Sequence, residues 1–308
     1  MILCVTPNPA LDRTIVIDYL VPGGVHRANQ TLTTANGKGV NVARAARILG
    51  TASTCAGFLG GETGKQITAL LHSEGLHGDW TLIDGETRTD VVMVAKHGES
   101  TVINEPGPSV SAADWARLRA DVVRLADNAD TICLAGSLPP GSTADEFIAL
   151  LQALQAAHCP LWVDTSGAML MAALEVPGLH LKINAEEAAF VLGRPVESPE
   201  AGIVACEELM RRGATSVAIT LGKQGAAYVT DQARFWVRPP LVKTVSAVGS
   251  GDVFLAALIC GLLSGAEQKE VIRKAAAAGA ANAITLGAGH FDLTAFEQIL
   301  ALTAVAEI

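Results

Sequence analysis

Along the chain, short apolar runs rich in β-branched residues alternate with longer stretches in which apolar positions return every three or four residues. The short runs fall at 2–6, 131–135, 161–164, 180–183 and 217–220. The helical patterns fall at 41–49, 64–74, 113–126, 143–157 and 201–212. Alternation of this kind predicts an α/β fold with a mostly parallel sheet covered on both faces. Residues 13–34 and 80–104 depart from it, with β-type residues and little helical period. Within the second stretch, 89–95 and 101–104 are spaced to pair as a hairpin across 96–99. The two stretches predict a small β lid inserted into one main domain, 1–308. An apolar run at 253–263 and an Ala-rich segment at 275–281 predict buried, closely packed helices.

Composition narrows the class. Half the residues are hydrophobic, 17% are charged and 4% are aromatic, a globular and aliphatic chain. A net charge of −9 without a basic tract speaks against nucleic acid as a partner. Six scattered cysteines, with no Cys-x-x-Cys pair, read as buried reduced thiols and point to a cytoplasmic location. The first residues read as a strand, not as a targeting signal, and 253–263 is too short to span a bilayer, so no membrane partner is expected.

The sharpest local signal is Gly249-Ser250-Gly251-Asp252, ahead of that apolar run. Two glycines allow a tight turn that gathers amide N–H groups at a helix start, where an anion is held by unpaired donors and the helix dipole. An aspartate there is placed to take a proton from an approaching nucleophile, as phosphoryl transfer to a hydroxyl requires. Alone, the same residues read equally as a capped helix. Four other clusters share this double reading: Asn36-Gly37-Lys38-Gly39-Val40-Asn41 at a helix start, Gly136-Ser137-Leu138-Pro139-Pro140-Gly141 after a strand, Lys182-Ile183-Asn184-Ala185-Glu186-Glu187, and Thr220-Leu221-Gly222-Lys223-Gln224-Gly225. The third is also a capping box. Gly60 to Gln66 imitates a P-loop but is one residue short between its glycines and lacks the Ser or Thr that would ligate magnesium. A Gly-x-Gly-x-x-Gly fingerprint is absent, which disfavours a dehydrogenase.

Taken in order from Thr6-Pro7-Asn8-Pro9-Ala10-Leu11-Asp12 to Gly249-Ser250-Gly251-Asp252, these clusters resemble the ribokinase-like carbohydrate kinases, the PfkB family. Lys38 between two glycines resembles the branch acting on phosphorylated ketohexoses, which includes 1-phosphofructokinases and tagatose-6-phosphate kinases. The resemblance implies a ribokinase-like three-layer α/β/α sandwich with a β lid that often makes a homodimer. It implies transfer from ATP to fructose 1-phosphate, tagatose 6-phosphate or fructose 6-phosphate. Asp252 would be the base, with the amides of Gly249, Ser250 and Gly251 stabilising the transferring group. Asp12, Gly37 and Asn41 would hold the sugar, and Lys38, Arg88, Ser137 and Arg27 its phosphate, with Arg88 binding through two parallel hydrogen bonds. Lys182, Asn184, Thr220, Gly222, Gly225 and Asn282 would line the nucleotide, with Asn282 near the adenine. Asn184 and Glu187 would organise Mg2+ partly through water, and a monovalent cation is possible. Asn36, Ile183 and Val253 depart from the usual family pattern, which bears on substrate choice. The competing readings are a kinase of an unphosphorylated sugar or nucleoside, and a non-catalytic sensor of sugar phosphate or nucleotide.

Overall fold

A computed structural model describes residues 1–96 and 100–308. The chain opens with β1 (Ile2–Thr6), β2 (Ala10–Val16), β3 (Gln30–Asn36) and α1 (Lys38–Ile48). Next come β4 (Ser53–Leu59), α2 (Gly61–Ser73), β5 (Gly78–Leu82), β6 (Arg88–Val94) and β7 (Ser100–Ile103). The middle runs α3 (Ala112–Ala126), β8 (Thr131–Ala135), α4 (Ala144–Gln155), β9 (Leu161–Asp164), α5 (Gly167–Ala173), β10 (His180–Asn184), α6 (Ala185–Leu192) and α7 (Pro199–Arg211). After β11 (Ser216–Thr220), β12 (Ala226–Val229) and β13 (Arg234–Arg238), the chain closes with α8 (Ser250–Leu263), α9 (Gln268–Ala283), α10 (Leu293–Leu302) and β14 (Ala304–Glu307).

Among the described residues, ten strands form one sheet in the order β14-β13-β12-β11-β10-β9-β8-β1-β4-β5. From β5 to β11 every pairing is parallel, and β12, β13 and β14 add an antiparallel edge. Parallel neighbours need crossovers, and the helices supply them while covering both faces. Strand alternation sorts the side chains: Ile2 and Cys4 join the core under α1, α8 and α9, whereas Leu3 and Val5 join the core under α3, α4 and α7. Cys4 lies level with Cys55 and Cys133 on neighbouring strands, all buried as free thiols. Burial pushes the Cys55 thiol up to about 12, so these side chains pack as small hydrophobes.

Four further strands form a separate sheet in the order β3-β2-β6-β7. It begins at Ala10 and ends at Asn36 on its first crossing, wider than the expected 13–34. The second stretch divides. Residues 80–82 belong to β5, on the edge of the large sheet, where Gly57 pairs with Trp80 and the buried Thr81 hydroxyl donates to Asp121 at 2.7 Å. Only β6 and β7 belong to the small sheet, paired antiparallel as the hairpin pattern requires; 97–99 lie outside the described residues. None of the described helices is long and apolar enough to cross a membrane.

Candidate active site

The helix starts fall into two kinds. Ser111, Thr143, Asn184, Ser198 and Asp292 cap α3, α4, α6, α7 and α10 through their side chains. At α2, in the P-loop look-alike, the Glu86 carboxylate accepts the Glu62 and Thr63 N–H groups at 3.1 and 3.0 Å, which closes that anion site. By contrast, α5 and α9 start without a side-chain cap, as do the two glycine starts, α1 at Gly37 and α8 at Gly249. Both glycine starts line a cavity of about 780 Å3 beyond the carboxyl ends of the parallel strands. Gly249 sits at φ 83°, and a Cβ there would meet Ala288 at 2.7 Å. Ser250 N–H turns back onto the Ala247 carbonyl at 3.2 Å, so Gly249 and Gly251 supply the free donors of this turn.

Asp252 follows on the first turn of α8 and is almost wholly buried. Its Oδ2 accepts a hydrogen bond from Asn41 Nδ2 at 2.8 Å, which joins α8 to α1. Asn41 is in turn fixed by the buried Arg44, whose Nη1 donates to Asn41 Oδ1 at 2.9 Å and whose Nε donates to Glu74 at 2.6 Å. Asn41 thus orients the acid as well as lining the cavity. Burial pushes the Asp252 carboxyl up to about 6 and Asp164 adds to this, while Lys182, Lys38 and Asn41 oppose it. A carboxylate near 6 is a competent base at neutral pH.

Asp164, at the end of β9, is fully buried and ties both lysines together. It accepts Lys38 Nζ at 2.5 Å and Lys182 Nζ at 2.7 Å. Burial alone would raise its pKa, but Lys182 and Lys38 hold it below the ordinary carboxylate range. Lys38 also reaches Glu187 at 3.2 Å; burial pulls its ammonium down, and Asp164, Glu187 and Asp252 outweigh that and hold it above its ordinary value. A Cβ on Gly251 would stand 2.6 Å from Lys182 Nζ, so a side chain here would push the ammonium aside. Lys38 Nζ therefore rests on Asp164 and Glu187, while the residue lines the same cavity as Arg88 and Ser137.

The small sheet supplies the opposite wall through Asp12, Asn36, Arg88 and Asp90. Asp12 Oδ2 accepts Asn36 Nδ2, and Asp12 Oδ1 is buried without a partner. A buried acceptor left open in a cavity suits a ligand hydroxyl. Burial pushes Asp12 up to about 6 as well, with Asn36 opposing and Asp90 adding to the rise. Arg88 is not free for a two-bond grip. Its Nε and Nη2 donate to the Asn8 carbonyl at 3.2 and 3.1 Å, and Nη1 donates to the Glu105 carbonyl at 3.2 Å and reaches Asp90 at 3.0 Å. Ser137 lines the same wall and its hydroxyl accepts Asn8 Nδ2 at 3.4 Å. Arg27 is exposed in the loop 17–29 between β2 and β3 and does not line the cavity of this chain.

At the other end, Thr220, Gly222, Lys223 and Gly225 line the cavity after β11. A Cβ on Gly225 would lie 2.0 Å from the Val237 carbonyl, so only glycine passes here. Asn184 and Glu187 form a full capping box, with Asn184 Oδ1 accepting Glu187 N–H and Glu187 Oε2 accepting Asn184 N–H, both at 2.8 Å. Glu187 keeps spare acceptor capacity on the cavity side. Asn282 is fully buried and is consumed by structure: Nδ2 donates to the Val248 carbonyl at 2.9 Å and Oδ1 accepts Gly289 N–H at 3.0 Å. It fixes the 248–250 turn and does not line the cavity.

Residues 6–294 match the pfkB family carbohydrate kinase domain. The chain belongs to the pfkB family of carbohydrate kinases. It is 36% identical to 1-phosphofructokinase of Haloferax volcanii over 89% of this chain and 88% of that one. To 1-phosphofructokinase of Escherichia coli it is 31% identical, over 99% and 96%. Phosphofructokinase-2 of Escherichia coli, solved with fructose-6-phosphate, is 29% identical and superposes with a TM-score of 0.88 over 97% of this chain and 98% of that one. Solved with potassium, it superposes with a TM-score of 0.90 over 98% of each chain. As a pfkB kinase the chain is a phosphotransferase acting on a hydroxyl group, with the three-layer sandwich expected of it.

Within this pfkB site, sequence reasoning passed over Asp164, Arg44, Asp90 and Lys223. Asp164 carried one signal, its place at the end of a strand. Arg44 reaches the Ala288 carbonyl at 3.1 Å and Glu74 at 2.6 Å, partners too far away in sequence to be read locally.

Proposed function

We propose that this chain transfers the γ-phosphoryl group of ATP to a hydroxyl of a ketohexose monophosphate, giving the bisphosphate. The observation that carries the reading is Asp252, buried, oriented by Asn41 and set at an uncapped helix start. Asp252 takes the proton of the acceptor hydroxyl as its oxygen attacks phosphorus. The free N–H groups at the starts of α8 and α1 face the charge that builds on the transferred group. Lys38 and Lys182, held by Asp164, supply fixed positive charge in the same place at no cost in reorganisation during the step. This reassigns Lys38 from the sugar phosphate to phosphoryl transfer.

The residues fit a magnesium ion bound with ATP. Mg2+ is usually held by one or two carboxylates, water and substrate phosphates, and Glu187 is the carboxylate with capacity to spare, with Asn184 beside it. When bound, the ion would neutralise charge on the phosphates. We assign Thr220, Gly222 and Gly225 to the nucleotide and add Lys223. A monovalent cation is proposed as a further activator, since potassium is present in the phosphofructokinase-2 complex.

At the sugar end, Asp12 and Asn36 take hydroxyls, and Ser137 with the remaining Nη2 N–H of Arg88 takes the phosphate. Fructose 1-phosphate is the first acceptor to test, because both curated relatives above are 1-phosphofructokinases. Fructose 6-phosphate and tagatose 6-phosphate are the alternatives. A homodimer through the small sheet, which would act as a lid, is supported by exposed Tyr19, Val21, Val25 and Ile103 on that sheet and its loop. A cytoplasmic location agrees with the reduced thiols. The test is ADP release with Mg-ATP against the three sugar phosphates and free fructose, ranked by kcat/KM. A strong preference for one sugar phosphate supports the reading; preference for free fructose, or silence on all four, contradicts it.

A further inference from the structure

Arg88 stands at the sugar-phosphate end of the cavity, yet its charge is already met. Asp90, two residues on in β6, lies 3.0 Å from Nη1 and is almost fully buried. The same carboxylate accepts Glu105 N–H at 3.0 Å, which anchors the segment after β7. Across the β2–β6 pairing, Asp90 is level with Asp12. Lys38 gives no relief here, since it lies on Asp164 and Glu187. The sugar end thus sets one guanidinium against two carboxylates. A phosphate dianion entering it is attracted by Arg88 and repelled by Asp90 at nearly the same range.

We propose that Asp90 is a specificity-determining residue: it fixes Arg88 and the Glu105 backbone while cancelling the arginine's charge, and so limits the preference for a phosphorylated over an unphosphorylated sugar. The inference rests on the reading that Arg88 meets the substrate phosphate.

Two substitutions separate holding from charge. Asp90→Asn keeps an oxygen for Glu105 N–H and for Arg88 but removes the negative charge. KM for the preferred sugar phosphate should fall roughly tenfold, while KM for Mg-ATP and kcat/KM for free fructose stay within about twofold. Asp90→Ala loses the acceptor, releases Arg88 and should raise KM for the sugar phosphate. A purely structural Asp90 moves KM upward, or not at all, in both variants.

The pH profile gives a second readout. The charged groups facing Asp90 are Arg88 on its own strand, Asp12 on β2 and Glu105 after β7, with Arg44 behind Asp12. Burial raises the Asp90 carboxyl, so at acid pH the wild type itself loses the charge. The advantage of Asp90→Asn over wild type should therefore grow as pH rises, a ratio in which titration of the substrate phosphate cancels. If Asp90→Asn leaves KM unchanged or raises it at every pH, the inference is overturned. A wild type that prefers no sugar phosphate overturns the functional reading instead, and the acceptor panel shows that independently.

Discussion

Asp252 and Asp12 are both buried carboxylates pushed up to about 6, at opposite ends of one cavity, yet they are built for different work. Asp252 sits on a helix start of the large domain, with its oxygen held by Asn41 and two lysines within electrostatic reach. Asp12 sits on a strand of the small sheet, facing another acid across the pairing, with one oxygen left open. Burial raises both alike. What differs is how the surroundings are arranged. Lys182 and Lys38 beside Asp252 favour the charged form that can accept a proton and also suit a transferring phosphoryl group. Asp12 faces Asp90, with Arg88 and Arg44 opposing it, and its open oxygen suits a hydroxyl. A raised pKa by itself thus marks a site without naming its role, and the neighbouring charges name it.

Several changes would break or sharpen this contrast. After Asp252 itself, the largest effect is expected from Lys38→Met. If Lys38 serves phosphoryl transfer, kcat falls roughly 100-fold or more, as for loss of one preorganised donor, while KM for the sugar phosphate changes little. A rise in KM alone would return Lys38 to the sugar end. Gly251→Ala comes next. Alanine in a helix normally stabilises by about 0.5–1 kcal/mol over glycine, but here its methyl meets Lys182 Nζ, so kcat should drop about tenfold without loss of fold. A wild-type kcat in that variant would show that Lys182 has room to move.

Asp12→Asn should raise KM for the sugar about tenfold and leave kcat within a few-fold, since it touches binding and not the proton. Asn282→Ala strands the Val248 carbonyl and Gly289 N–H and should cost about 1–3 kcal/mol in urea unfolding, with ATP affinity little changed. Weak ATP binding in a stable variant would restore Asn282 to the nucleotide. The smallest effect is the pH profile. As the base, Asp252 works when deprotonated, so kcat should decline as pH falls through about 6, and Asp12→Asn should keep that acid limb. Loss of the limb in Asp12→Asn would move the titration to the other end of the cavity.

The legible parts of this molecule were those whose cause is local. The glycine turn before Asp252, the capping box at Asn184 and the buried parallel strands each declare themselves within a few residues. So did the hairpin of β6 and β7, through two runs of β-type residues a few positions apart. What escaped depends on distant partners. The glycines around Lys38 suit a phosphate group, and nothing near them in sequence shows its partner Asp164, 126 positions away. Arg27 has the charge, but it stands in an exposed loop that does not line the cavity of this chain. Asn282 sits in an alanine-rich helix that says nothing about the turn it grips. Residues 80–82 read as part of the small sheet because an edge strand and an inserted hairpin share the same composition, and only pairing with β4 separates them.

The most direct test is single-turnover phosphoryl transfer by Asp252→Asn at saturating Mg-ATP and sugar phosphate, with ATP affinity measured on the same preparation. The account predicts transfer slowed by about 100- to 10,000-fold with ATP affinity unchanged. Transfer within a few-fold of wild type would contradict it and place the base elsewhere.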